Sequence, residues 1–182
     1  SPDIIITLHH WHMSTRKKIL FVTKHYSPGA GDRTYMFALE NILRTLGGHE
    51  VGYFAMHYPQ NLPSPFSKYF VDNIEYGSLK INPCTIVDVL GRSLYCRESQ
   101  NKIASLIEDF RPDIVHIQHL DTHITCSILP VIKRYGIPIL WHLHIYAPLC
   151  INYNLVDEHS REICTASRNN RFWQPLLRRC KK

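Results

Sequence analysis

The chain has 182 residues, of which 45% are hydrophobic and 20% charged, and its formal net charge is +6. This length can bury the core of one domain, and six cysteines are too sparse for a disulfide scaffold. No apolar run approaches the ~20 residues of a membrane-spanning helix. No secretory signal is recognisable either, so a cytoplasmic protein is expected. The dispersed positive charge is typical of a solvated surface, and no nucleic-acid partner is predicted.

The first twelve residues, "SPDIIITLHHWH", do not resemble the start of a folded domain. Their apolar run is too short for a signal-peptide core. Met13 begins "MSTRKKILFV", which looks like a natural start just before a first strand. We therefore expect residues 1–12 to be a leader, either disordered or extraneous to the natural protein, and residues 13–182 to form one domain.

Apolar patterns along the chain alternate between strands and helices. The predicted elements, in chain order, are a strand over Ile19–Val22, a helix from Tyr35 to Leu46 ended by Gly47–Gly48, a strand in "HEVGYFAM", a helix over Ile103–Phe110, a strand in "RPDIVHI", a helix from Ile124 to Tyr135 that Pro130 kinks or shortens, and a buried strand in "GIPILWHL". This order predicts an α/β fold, a Rossmann-like open parallel sheet with helices on both faces.

Ligands of such sheets bind beyond the carboxyl ends of the strands. The residues expected there are His25 to Gly31, Met56–His57, Gln118–His119 and His142 to Tyr146. Candidate binding residues are therefore sought in these four segments.

Several of these segments together resemble a known family. The stretches are "KKILFVTKHYSPGAGDRTYMFALENILRTLGGHEV", "HYPQNLPSPFSKYFVDNIEY", "RPDIVHIQHL", "YGIPILWHLHIYAPLCINYNLV" and "ICTASRNNRFWQPLLRRC". Their order and spacing are similar to the amino-terminal lobe of family 4 glycosyltransferases, which have the two-lobed GT-B architecture. The resemblance covers about residues 17–180 and is strongest to a bacterial and archaeal polysaccharide-type branch.

The resemblance implies an acceptor-binding lobe. The whole enzyme would transfer a hexose from a UDP- or GDP-sugar to a lipid-linked or polysaccharide acceptor in cell-envelope synthesis, with no obligatory metal or cofactor. The donor nucleotide would be held mainly by a second lobe, which these 182 residues do not include. The chain alone is therefore expected to be inactive. Phe172, Trp173, Arg178 and Arg179 would suit peripheral contact with the inner face of the cell membrane, or equally a packed aromatic pair with a solvated basic tail.

The glycine loop after the first strand is the first implied binding site. Gly31 matches the second of two adjacent family glycines, and Ala30 replaces the first, so Gly29 and Gly31 are the substrate-binding candidates. Bare backbone there lets amide groups approach a sugar or phosphate oxygen. The family often has a glutamate where this chain has Arg33, which reverses a charge beside the acceptor cleft.

The segment "HLHIYAPLC" carries the implied catalytic residue, His144. At the end of a strand a histidine can bond an acceptor sugar or polarise the reacting hydroxyl. The alternative is a half-buried histidine bonded to a backbone carbonyl. The family aspartate that follows is Ile145 here, and an isoleucine cannot accept a hydrogen bond. Tyr146 completes this segment as a substrate-binding candidate.

Two further histidines, His25 and His119, are candidate acceptor contacts, whereas His116 lies inside a predicted strand and is expected to be structural. The family branch carries four cysteines, of which Cys150, Cys164 and Cys180 remain while Ser167 replaces the fourth. Serine is a poor zinc ligand, so we expect free thiols and no metal site. His159 could replace the missing fourth ligand, but its spacing does not indicate a zinc site.

Two rival functions remain open from the sequence. A non-catalytic docking half, or a decayed copy of a split glycosyltransferase, would tolerate the substitutions at Ala30, Arg33, Ile145 and Ser167, and its partner would be a separate donor-binding lobe. A nucleotide-binding Rossmann protein would need a Gly-x-Gly-x-x-Gly fingerprint, but Gly29 and Gly31 are followed by Thr34.

Overall fold

The computed structural model describes residues 16–29, 31–73, 95–120, 123–146, 155–157 and 160–164. The chain divides into two compact units, the first ending at His142 and the second beginning at Leu143. The expected leader, Cys150, His159, Ser167, Cys180 and the aromatic-basic segment near residue 172 lie outside the described residues. The second unit is described only in short segments, where an isolated bridge pairs Val156 with Ile163.

The first unit contains a four-stranded parallel sheet. Its strands are β1 (Lys18–Val22), β2 (Glu50–Phe54), β3 (Ile114–Ile117) and β4 (Ile139–Trp141), in the order β2-β1-β3-β4. In register, Phe21 lies opposite both Tyr53 and His116. The predicted α/β class with an open parallel sheet is therefore confirmed.

Within the described residues, three α-helices cover the two faces of this sheet. They are α1 (Asp32–Thr45), α2 (Arg97–Phe110) and α3 (Leu129–Arg134). Side chains of a strand alternate between faces. Ile19 and Phe21 therefore pack with Met36 of α1, whereas Leu20 and Val22 pack with side chains of α2 and α3 on the other face. Each apolar side chain buried in this way stabilises the fold by about 1.5–3 kcal/mol.

The ends of the helices follow local sequence signals. Helix α1 ends before Gly48, whose φ of 61° belongs to the left-handed region that glycine tolerates. Pro130 lies in the first turn of α3, and a short 3-10 turn, Cys126–Ile128, takes the place of the expected earlier turns. The predicted shortening at Pro130 is confirmed. Cys96 is buried, and its thiol caps α2 by accepting from the Ser99 N–H.

The prediction of a buried strand is wrong for β4. Ile139 is 37% exposed and Leu140 is 51% exposed. Within the described residues β4 pairs only with β3, so it is an edge strand and lacks a neighbour on its other side. An apolar run indicates a strand, but it does not indicate where in the sheet that strand lies. None of the described helices is long and apolar enough to cross a bilayer.

Candidate functional site

The carboxyl ends of the parallel strands β1 and β3 are neighbours in the sheet, and the edge beyond them is where a ligand crevice is expected. After β1 the chain crosses one face of the sheet through α1 and forms β2 on one side of β1. It later crosses the opposite face through α2 and forms β3 on the other side of β1. This reversal of direction is the topological switch point at which open α/β sheets bind ligands. The Val22 carbonyl accepts hydrogen bonds from the Gln118 N–H at 2.8 Å and the His119 N–H at 3.4 Å. These bonds hold the segment after β3 against the end of β1.

The amino terminus of α1 faces this end of the sheet. Gly31 is its N-cap residue, with a φ of 67° that strongly favours glycine. Apart from the two chain neighbours of Gly31, no described residue has a heavy atom within 4 Å of the position that a Cβ on Gly31 would take. The unbonded N–H groups of a first helical turn favour an electronegative partner. Gly31 therefore leaves room for a ligand oxygen, as its position in the sequence predicts.

Asp32 and His119 lie close together at this end of the sheet. Oδ2 of Asp32 lies 3.7 Å from Nδ1 of His119, and the two side chains are 31% and 21% exposed. The other carboxylate oxygen of Asp32 accepts from the Arg33 N–H at 2.9 Å, which fixes the carboxylate. A separation of 3.7 Å is longer than a hydrogen bond, so the attraction is that of an ion pair formed when the imidazole is protonated.

Arg33 closes one side of the glycine loop. Its Nη1 donates to the Ser27 hydroxyl at 2.9 Å and to the Pro28 carbonyl at 3.2 Å. A Cβ added to Gly29 would stand 2.1 Å from the Arg33 Cζ. The bare backbone of Gly29 is therefore used by this guanidinium, whereas that of Gly31 remains accessible.

His25 follows β1 and packs against Tyr58, with ring centroids 4.6 Å apart. The neighbouring Tyr26 N–H donates to the Asn61 side chain at 3.0 Å, and the Tyr26 carbonyl accepts from the Leu62 N–H at 2.8 Å. These contacts join the segment after β1 to the segment after β2. The predicted acceptor contact His25 thus lies on a well-supported part of the sheet edge.

The half-buried Tyr26 of this segment packs on the buried Tyr53. The rings of Tyr26 and Tyr53 are 4.1 Å apart, and burial followed by the nearby Glu40 carboxylate raises the pKa of both hydroxyls. Glu40 also pairs with the Arg44 Nε at 2.7 Å. Both phenols are therefore neutral at physiological pH and serve as packing groups.

The remaining histidines differ in their surroundings. His116 is only 5% exposed, and its ring packs on Phe21 at 5.2 Å, as predicted for a structural histidine. In the second unit His144 is half-buried, Ile145 is 37% exposed and Tyr146 is 53% exposed. Ile145 is therefore not a core residue, although it replaces an acid of the family pattern.

Among the described residues, no group of three or more His, Cys, Asp or Glu side chains is placed to hold a metal ion. Cys164, the one described member of the family cysteines, is a half-buried free thiol. The prediction concerning zinc at Cys150 and Cys180 remains open, since those residues lie outside the described ranges.

A second concavity lies at the amino end of β4. This groove, of about 900 Å³, is bordered by Leu129, Lys133, Ile137, Ile139 and Trp141. Lys133 is its only charged side chain within the described structure. It offers few polar groups to orient a ligand, so the carboxyl ends of β1 and β3 are the better candidate site.

The sequence indicated His25, Gly31 and His119 but missed Asp32. An acidic residue in the first turn of a helix is ordinarily interpreted as a stabiliser of the helix dipole. Its pairing with His119 depends on β1 and β3 being neighbours in the sheet, and no local pattern encodes that. Neither a scan against models of known protein families nor a search of curated proteins finds a match to this chain.

Proposed function

We propose that this chain, over residues 13–182, is the acceptor-binding lobe of a glycosyltransferase of the GT-B type, family 4. The observation that carries the proposal is the Asp32–His119 pair, with its 3.7 Å separation, at the switch point of a parallel sheet. The resemblance of the glycine loop and of the strand-end segments to that family is consistent with the same site. An acceptor hydroxyl would enter between His119, Gly31 and His25.

The chemistry of this pair suits a sugar hydroxyl. When the Nδ1 proton of His119 points at the Asp32 carboxylate, Nε2 presents a lone pair that can accept from a hydroxyl. The carboxylate stabilises the imidazolium that forms if the proton moves to Nε2. The N–H groups at the start of α1 offer donors to a neighbouring sugar or phosphate oxygen.

In the complete reaction, the bond between the anomeric carbon and the diphosphate of a UDP- or GDP-sugar breaks. A glycosidic bond forms to the acceptor oxygen, and the hydroxyl proton is lost. Stabilising the departing diphosphate would be the work of the donor-binding lobe. His144 remains the proposed catalytic histidine of the second unit, with Tyr146 beside it in the sequence. The proposal requires no metal, and the protein would act in the cytoplasm on a lipid-linked or polysaccharide acceptor.

A second candidate function is a non-catalytic docking half or decayed copy. Arg33 favours it, because this residue stands where the family often has a glutamate. Its guanidinium donates hydrogen bonds to the Ser27 hydroxyl and the Pro28 carbonyl, so the arginine stabilises the conformation of the loop. Such a chain would bind a separate donor lobe but transfer no sugar.

The test is a nuclear magnetic resonance titration of the 182-residue chain with methyl glycosides of glucose, galactose and mannose. Binding should shift the amide signals of Gly31, Asp32 and His119, and His119→Asn should weaken it about tenfold or more. His49→Asn is the matched control, because His49 is a half-buried histidine just before β2, at the opposite end of the parallel sheet from the proposed site. Equal effects of the two variants, or no shifts at these amides, would contradict the proposed site.

A turnover assay separates the two candidate functions. The chain alone should release no nucleoside diphosphate from UDP-glucose or GDP-mannose. With a cognate donor lobe supplied, release that is lost in His144→Ala supports the enzyme, and complex formation without release supports the docking half.

A further inference from the structure

Four rings form a continuous series from the core toward the surface. Phe21 is fully buried, His116 is 5% exposed and Tyr35 is 39% exposed, with His142 between the last two. The ring centroids are 5.2 Å apart for Phe21 and His116, 6.4 Å for His116 and His142, and 4.6 Å for His142 and Tyr35. A partly exposed tyrosine is therefore linked to the hydrophobic core through two imidazoles.

Backbone hydrogen bonds hold His142 and Tyr35, the last two residues of this series. The N–H of His142 donates to the Ile117 carbonyl at 2.9 Å, and the N–H of Tyr35 donates to the Gly31 carbonyl at 3.1 Å. The rings of His142 and Tyr35 meet edge to face at 72°, a favourable aromatic geometry. This contact holds the Tyr35 ring although a large part of it is exposed.

Tyr35 also lies beside the Asp32–His119 pair. It follows Asp32 by three residues on α1, and residues at that spacing share one side of a helix. The same side of the helix therefore presents a carboxylate, which pairs with His119, and an aromatic ring. Polar groups next to an apolar ring match a ligand that has hydroxyls at its rim and C–H bonds on its face.

We propose that Tyr35 is a specificity-determining residue on which the pyranose ring of the acceptor stacks. This inference rests on the proposed function. The electron-rich face of the phenol attracts the weakly positive C–H bonds on one face of a pyranose. Because His142 already holds the ring, little side-chain freedom is lost on binding. The Tyr35 ring favours acceptor sugars whose stacked face carries axial C–H bonds over sugars that have an axial hydroxyl on that face.

The experiment uses the same titration of the 182-residue chain with methyl β-glucoside as the probe. Tyr35→Leu keeps the bulk but removes the ring, and it should weaken binding about three- to tenfold. Tyr35→Phe keeps the ring and should bind within about twofold of the wild type. The control is Tyr95→Leu, at a tyrosine of the same unit that is 58% exposed. Circular dichroism of each variant checks that the fold is retained.

A second readout distinguishes stacking from a general structural effect. The bound glycoside should show upfield ring-current shifts at the C–H protons of one face, present with Tyr35→Phe and absent with Tyr35→Leu. Wild-type binding that is lost in His119→Asn but unchanged in Tyr35→Leu overturns this inference alone. Absence of glycoside binding by the wild type overturns the proposed function and this inference with it.

Discussion

The guanidinium of Arg33 lies directly against the α-carbon of Gly29, where a Cβ would stand 2.1 Å from the Arg33 Cζ. The side chain reaches across the glycine to bond Ser27 and Pro28. A side chain at position 29 would therefore displace the end of Arg33, whereas Gly31 is favoured by its own φ of 67°.

We expect Gly29→Ala to lower the free energy of unfolding by about 1 kcal/mol, because the new methyl group displaces the guanidinium. In an Arg33→Ala background the same substitution should be neutral or slightly stabilising, since the obstructing side chain is gone. Urea unfolding of the four proteins in this double-mutant cycle measures the coupling.

Gly31→Ala is the matched control for that cycle. It forces alanine into the left-handed region and should cost about 1 kcal/mol in both backgrounds. If Gly29→Ala behaved in the same way, losing equal stability with and without Arg33, the proposed contact would not be the reason for the glycine.

His116, inside β3, and His119, just after it, should respond differently to truncation. His116→Ala removes a buried ring from between Phe21 and His142 and should cost at least about 2 kcal/mol of stability. His119→Ala removes a partly exposed ring and should cost less than about 1 kcal/mol, while weakening glycoside binding. Thermal unfolding and the glycoside titration together test both statements, and a strongly destabilised His119→Ala would make that residue structural.

Tyr53 should make the protein sensitive to alkali. Burial, with a contribution from Glu40, raises the pKa of Tyr53 above its usual 10.0 in the folded state. Below pH 10.0 the hydroxyl is neutral in both states and folding is unaffected. Above it the unfolded chain loses this proton while the folded chain keeps it, so stability falls as the pH rises.

The measurement is the urea unfolding midpoint between about pH 8 and 11. Tyr53→Phe should decline less steeply than the wild type, whereas Tyr95→Phe, at a 58% exposed side chain, should follow the wild type. Identical slopes for Tyr53→Phe and the wild type would contradict the pKa shift.

The acid that the proposed resemblance implies at position 145 should be tolerated there. Ile145 is 37% exposed, so a carboxylate there keeps much of its hydration. Ile145→Asp is expected to change the free energy of unfolding by less than about 0.5 kcal/mol. Ile128→Asp, at a fully buried position, is the control and should unfold the protein or destabilise it severely. A loss of similar size at position 145 would mean that the isoleucine has been recruited into packing.

Local patterns in the sequence were sufficient for the class of the fold. Alternation and helical spacing are properties of neighbouring residues, so they predicted β1, α1 and the parallel sheet without knowledge of the whole. Gly48 and Pro130 act on the backbone at their own positions, and the ends of α1 and α3 were predicted for that reason. The same reasoning placed His25 and His119 at the carboxyl ends of strands.

The tertiary structure decided which of these residues meet. Strand order brings β3 beside β1, which pairs His119 with Asp32 and stacks His116 on Phe21. It also leaves β4 paired on one side only within the described chain, although its sequence is as apolar as that of the other strands. Periodicity along a chain records which side of an element is apolar, because neighbouring residues alone set it. Contacts between distant segments depend on the packing of the whole sheet, and only the three-dimensional arrangement specifies them.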